Sequence, residues 1–129
     1  MDSSTNKKTI LIVEDEAGIV QPLKEELLQA GFSVLTSDNG QLGLESSIKN
    51  HPDLILLDIK MPVMDGIEML KKLRENMWGE NVPVIILTNS LEAEAVSEAL
   101  THKAFDFLVK SDWKLSDVVK KVKAKLGMP

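Results

Sequence analysis

A doubly wound α/β domain, with five parallel strands between two layers of helices, is the fold class that the sequence predicts. Three observations predict it. Short, continuous apolar runs alternate five times with longer amphipathic stretches. The runs are too uniformly apolar for a sheet with one wet face, so both faces are covered. Each run also ends in polar residues suited to a ligand site, which places those residues along one edge of the sheet.

The first run, residues 9–13, is Thr9-Ile10-Leu11-Ile12-Val13. After it Val20, Leu23, Leu27 and Leu28 fall on one face of a helix that stops at Ala30-Gly31, where glycine suits a helix end. Pro22 lacks an N–H, so that helix is expected to start near Gly18 or to kink. A second strand over 33–37 leads through Asp38-Asn39-Gly40 turn chemistry into a helix ending near Lys49-Asn50. His51-Pro52 breaks it, and residues 53–58 form a third buried strand. The third helix begins near Asp65, with Met69, Leu70, Leu73 and Met77 expected inward. Residues 81–87 form the fourth strand, with Pro83 at its start, where a missing donor is tolerated. An Ala-rich fourth helix over about 91–100 has the weakest apolar stripe. The fifth strand spans 105–109. The last helix has the cleanest stripe, in Leu115, Val118, Val119, Val122 and Leu126.

The chain has 129 residues, enough for one core, with a polar tail expected at 1–8 and one domain over 9–127. A net charge of −5 gives no basic footprint for direct nucleic-acid binding, and none is expected. The absence of Cys removes disulfides and thiolate chemistry, and suits a reducing compartment. No apolar run approaches the ~20 residues of a membrane span, and the start carries no hydrophobic leader. The expected location is the cytoplasm.

The strand ends carry the chemistry: Glu14-Asp15-Glu16 after the first, Asp58 on the third, Thr88-Asn89-Ser90 after the fourth, Lys110-Ser111 after the fifth. With sheet order 2-1-3-4-5, Glu14, Asp15 and Asp58 converge, and Thr88 and Lys110 face them. Crowded carboxylates call for a hard cation with room for water, which suits Mg²⁺. Taken singly, each residue also has a plain structural role. Asp15 and Thr88 suit helix caps, and Lys110 a solvated loop. Together, five such groups on four strands describe a phosphoryl-transfer site without a nucleotide cradle, with Asp58 as carboxylate nucleophile.

The stretch Leu54-Ile55-Leu56-Leu57-Asp58-Ile59-Lys60-Met61-Pro62-Val63-Met64-Asp65-Gly66 resembles the acceptor strand, Met-Pro loop and Asp-Gly helix start of response-regulator receiver domains. Glu14-Asp15, Thr88 and Phe105-Asp106-Phe107-Leu108-Val109-Lys110 extend the resemblance over residues 7–126. It implies the flavodoxin-like (βα)5 fold and phosphorylation of Asp58 by a histidine kinase or histidine phosphotransfer protein. Mg²⁺ is the implied cofactor, with Mn²⁺ as an admissible substitute. Its ligands would be Asp15, Glu14, Asp58 and the backbone carbonyl of Lys60. Thr88 and Phe107 would switch the face formed by the fourth helix, fifth strand and fifth helix. That face would be read by a downstream protein, by an effector domain in a longer chain, or by a second copy. No turnover of an exogenous substrate is expected.

Three departures stand out. Ser111 follows Lys110 where the family commonly has Pro. Lys103 replaces a common Gly, which argues against a positive φ there. Phe107 replaces a frequent Tyr. A flavin-binding flavodoxin needs a phosphate loop where Glu14-Asp15-Glu16 stands, and a haloacid-dehalogenase-like phosphatase needs a carboxylate at Lys60. A pseudo-receiver that works without phosphate is the remaining alternative. The sequence fits a stand-alone regulator, with Met1 as its native start, or a receiver from a longer chain.

Overall fold

The computed structural model describes residues 7–89, 93–104, 106–110 and 113–129. Five strands, β1 (Thr9–Val13), β2 (Ser33–Ser37), β3 (Leu54–Asp58), β4 (Val84–Thr88) and β5 (Asp106–Val109), alternate with five helices. These are α1 (Ala17–Gln29), α2 (Gly40–Asn50), α3 (Gly66–Glu75), α4 (Ala93–Thr101) and α5 (Leu115–Lys125). All pairs are parallel, and the order is β2-β1-β3-β4-β5, the order in which the polar strand ends can meet.

The period of two along each central strand divides the interior into two cores. Ile10, Ile12, Leu54, Leu56, Ile85 and Leu87 meet Leu23 and Leu27 of α1 and Val118 and Val122 of α5. Leu11, Val13, Ile55, Leu57, Val84 and Ile86 face Met69, Leu70 and Leu73 of α3 and Ala99 of α4. This is why β1, β3 and β4 are continuously apolar. Two helices close by side-chain caps: Asn39 Oδ1 accepts from the Leu42 N–H at 2.9 Å, and Asp65 Oδ1 from the Glu68 N–H at 2.8 Å. Gly43 brings α2 against the sheet, since a Cβ there would stand 2.9 Å from the Val13 methyls and 3.0 Å from Met69 Sδ.

Several expectations need correction. Met77 is not inward but 95% exposed, because α3 stops at Glu75 and Asn76 is extended, so the helical phase linking Leu73 to Met77 is lost. A single 3-10 turn, Trp78–Glu80, fills the interval, and Trp78 stacks on His51 with centroids 4.5 Å apart. Leu28 is half-exposed, since its neighbour Leu27 takes the inward direction and adjacent helical residues point apart. α1 begins at Ala17 and continues through Pro22. β4 starts after Pro83 and includes Thr88. Lys103 does adopt a positive φ, 63°, despite its side chain. The expectations at Phe105, Ser90, Leu91 and Ser111, and for the tail up to residue 6, lie outside the described residues.

Arg74, near the end of α3, accounts for the fold at the amino-terminal edge of β4. Its guanidinium donates to four carbonyls: His102 (2.9 Å), Gly79 (2.8 Å), Val82 (2.7 Å) and Lys103 (3.1 Å). It thereby ties α3, the 3-10 turn, the approach to β4 and the end of α4 at one point. Burial lowers its pKa from the ordinary arginine value, leaving it charged at any physiological pH. Arg74→Met keeps the apolar stem but strands four carbonyls. A loss of about 2–4 kcal/mol in urea unfolding is expected, since hydrogen bonds to charged donors are worth about 1.5–3 kcal/mol each and are not additive.

Candidate functional site

The parallel register assembles the polar strand ends. Val13 of β1 pairs with Leu57 of β3, so Glu14 follows beside Asp58. Asp58 pairs with Leu87 of β4, and Thr88 with Val109 of β5. The Lys110 N–H donates to the Thr88 carbonyl at 2.7 Å, which carries the lysine back over β4. Lys110 Nζ then stands 2.5 Å from Glu14 Oε1, 3.4 Å from Asp58 Oδ1 and 3.4 Å from Glu16 Oε1. Glu14, Asp58 and Thr88 are buried, whereas Asp15, Glu16 and Lys60 are exposed. Phe107 is half-buried against the core beneath α3 and α4.

Burial decides the electrostatics. Desolvation pushes the Glu14 carboxyl from its ordinary 4.5 up to about 6, reinforced by the charge on Asp58 and opposed by Lys110 and the Glu16 N–H. Burial also raises the Asp58 carboxyl, against Lys110 and the Ile59 N–H, while the charge of Asp15 raises it further. At Lys110 burial acts downward, but the pairing with Glu14, Asp58 and Glu16 outweighs it and the pKa is raised. The site therefore holds more negative charge than one ammonium offsets.

The loop bearing Met61-Pro62 is fixed at three points. The Gly66 N–H donates to the Ile59 carbonyl at 2.7 Å, and a Cβ at Gly66 would overlap the Asp58 carbonyl. The Gly40 N–H donates to Met64 O at 2.9 Å, and a Cβ there would overlap that same carbonyl. Between these anchors Met64 N–H donates to Pro62 O at 2.7 Å, a γ-turn that leaves Val63 at φ 70°, 82% exposed. The sequence signalled Gly66 through Asp-Gly and Gly40 through Asn-Gly. The strain at Val63 left no signal, because a β-branched residue is a poor choice for that region. The contact of Glu16 with Lys110 was also missed, since the two are far apart in sequence.

The donor chemistry fits a hard divalent cation. Oxygens of Glu14, Asp15 and Glu16 lie within 4.8 Å of one another. Glu14 Oε1 is buried and, for all its closeness to the Lys110 ammonium, receives no hydrogen bond of sound angle. That contact is an ion pair, and the oxygen has no hydrogen-bond partner among the described residues. Asp58 is joined to the trio through Lys110 rather than by direct grouping with it.

Sheet order and a cluster of carboxylates around one lysine define a doubly wound domain with an acid pocket at its carboxyl edge. The family model of the response regulator receiver domain matches residues 10–123, and the chain belongs to that family. Sporulation initiation phosphotransferase F of Bacillus subtilis is 40% identical over 117 residues, covering 87% of this chain and 90% of that protein. The transcriptional regulatory protein PrrA of Mycobacterium tuberculosis is 35% identical over 126 residues, covering 98% of this chain. The chain spans 53% of the length of PrrA and 22% of that of the regulatory protein AtoC of Escherichia coli. Among solved structures, the receiver domain of a sensor histidine kinase from Pseudomonas aeruginosa PAO1 superposes with a TM-score of 0.84 at 27% identity. It covers 94% of this chain and 98% of that one, and holds a magnesium ion in its active-site cleft. Among the described residues no helix is long and apolar enough to cross a membrane.

The raised Glu14 pKa has a definite sign. The native state binds a proton on this group more tightly than the unfolded chain does, so its contribution to stability is complete below pH 4.5. It is lost as pH rises to about 6. In metal-free buffer, Glu14→Gln should remove a loss of about 2 kcal/mol between those limits, since a proton held one pH unit more tightly is worth about 1.4 kcal/mol. Urea midpoints of both proteins across pH 4–7 check this, and parallel curves would refute it.

Proposed function

We propose that the domain takes a phosphoryl group onto an Asp58 carboxylate oxygen from a phosphohistidine on a kinase or phosphotransfer protein, and uses it to switch a docking face. The observation that carries the reading is Asp58 itself, 4% exposed at the tip of β3, with Lys110 Nζ at 3.4 Å and the acidic trio beside it. Asp58 oxygen attacks phosphorus, the phosphorus–nitrogen bond of the donor breaks, and the imidazole nitrogen keeps that electron pair and takes up a proton. Lys110 supplies a point charge to one phosphoryl oxygen, and the Thr88 hydroxyl donates to another.

Glu14, Asp15, Asp58 and the Lys60 carbonyl would hold Mg²⁺, with Mn²⁺ as a substitute. The ion, when bound, neutralises charge on the phosphoryl oxygens. The domain modifies its own carboxylate and turns over no other substrate. Water ends the state by hydrolysis, at a rate set partly by Lys60 and Ser90, two residues beyond Asp58 and Thr88 in the sequence.

For output, Thr88 moves toward the phosphoryl group and Phe107 follows into the vacated space. That biases the surface of α4, β5 and α5 between two arrangements. The weak anchorage of α4 supports this. Ala99 is its only fully buried side chain among the described residues, and Leu100 is 45% exposed. A downstream protein, an effector domain of a longer chain, or a second copy would read the face.

Two experiments test the reading. Acetyl phosphate with Mg²⁺ should add one phosphoryl group by intact mass, and Asp58→Asn should abolish it. Equal labelling of the Asn variant would overturn the assignment, and an unlabelled wild type would favour a module that works without phosphate. Separately, Asp15→Ala should weaken Mg²⁺ binding by about tenfold or more, since even outer-shell losses cost that much. Glu16→Ala should change it by no more than about twofold, and equal effects would shift the metal ligand by one residue.

A further inference from the structure

We infer that Glu16 is a positioning residue: in the resting state it holds the Lys110 ammonium, in competition with the phosphoryl group that Asp58 receives. The inference rests on the phosphoryl reading above and goes beyond it, since that reading gives Glu16 no part. Lys110 Nζ donates a hydrogen bond to Glu16 Oε1 at 3.4 Å, the same distance at which it meets Asp58 Oδ1. Its third neighbour is Glu14. The ammonium thus stands among three carboxylates, with its hydrogen bond to Glu16. Glu16 is placed for this by its backbone. Its N–H donates to Glu14 Oε2 at 3.1 Å, and its carbonyl accepts the Ile19 and Val20 N–H groups at 2.9 and 3.0 Å. The side chain therefore starts from a fixed platform at the head of α1.

A phosphoryl group on Asp58 brings three further acceptor oxygens and close to two charges. Lys110 must then release an existing partner. Glu14 is fully buried, so its carboxylate cannot turn to water if Lys110 leaves it. The Glu16 side chain is 56% exposed, so water replaces its lost partner at little cost. Glu16 is accordingly the partner released, and its hold on Lys110 opposes the phosphorylated state.

The test uses the full chain and its E16Q and E16D variants at saturating Mg²⁺, with two readouts. These are the dissociation constant of beryllofluoride, a phosphoryl mimic, and the lifetime of the phosphorylated form made with acetyl phosphate. E16Q should bind beryllofluoride about two- to fivefold more tightly, the range of an exposed ion pair, and the gain should shrink in high salt. E16D keeps the charge but withdraws it by one methylene, so loss of contact should make it behave like E16Q. An E16D variant matching wild type while E16Q binds more tightly would mean that overall charge acts, not the contact. Both variants matching wild type, or binding more weakly, would overturn the inference, as would a tenfold loss of Mg²⁺ affinity in E16Q. Wild type modified at Asp58 with inert variants removes the role of Glu16 alone. A wild type that neither binds the mimic nor gains a phosphoryl group removes the phosphoryl reading, and this inference with it.

Discussion

The arrangement at the carboxyl edge of the sheet depends on an unequal charge balance. Among the described residues Lys110 is the one cation in contact with Glu14, Asp58 and Glu16, and Asp15 adds a further negative charge nearby. In water such crowding costs little, but two of these carboxylates are buried, where each uncompensated charge is expensive. The interior tolerates them because the strand register leaves no alternative. Once Val13 pairs with Leu57 and Asp58 with Leu87, the polar ends meet whether or not their charges match. The hydrophobic drive of two cores thus holds together a site that would otherwise disperse, and the remaining imbalance makes it receptive to a cation.

The site is rigid on one side and yielding on the other. Gly66 and Gly40 hold the Met61-Pro62 loop so closely that a methyl group at either would overlap backbone carbonyl oxygen, which fixes the Asp58 backbone. Across the cleft, α4 contributes one small buried side chain among its described residues, Ala99, and its exposed Leu100 marks a helix held by few apolar contacts. A charge change at a fixed point next to a loosely held helix is the arrangement in which modest energies shift populations.

Much of this was legible in the chain because its strands are buried on both faces. Continuous runs such as Leu54-Ile55-Leu56-Leu57 fix strand identity, and the polar residue ending each run locates the edge. Phase past a helix end was not legible. The inward placement of Met77 assumed that α3 continued, whereas Asn76 leaves the helix and its Oδ1 accepts the Trp78 and Gly79 N–H groups instead, at 2.9 and 3.3 Å. Nor was the left-handed conformation of Lys103 readable from a lysine, although it closes α4 locally: the Ala104 N–H returns to the Ala99 carbonyl and the Lys103 N–H to that of Leu100. Its carbonyl also accepts from Arg74, a tie across the fold. Long-range polar contacts of this sort, the Lys110 to Glu16 pair among them, have no local signature.

Arg74 gives the opposite edge of the sheet a contrasting character. Each of its hydrogen-bond partners among the described residues is a carbonyl oxygen, so none can gain or lose a proton. An uncharged set of acceptors around a permanently charged donor is also little affected by electrolyte, since no opposing ion exists to be screened. The Arg74 cluster therefore responds little to acidity and ionic strength, in contrast to the acid pocket, whose carboxylates titrate. Because Arg74 holds the carbonyls of His102 and Lys103, just past α4, it anchors the chain at the point where that helix ends.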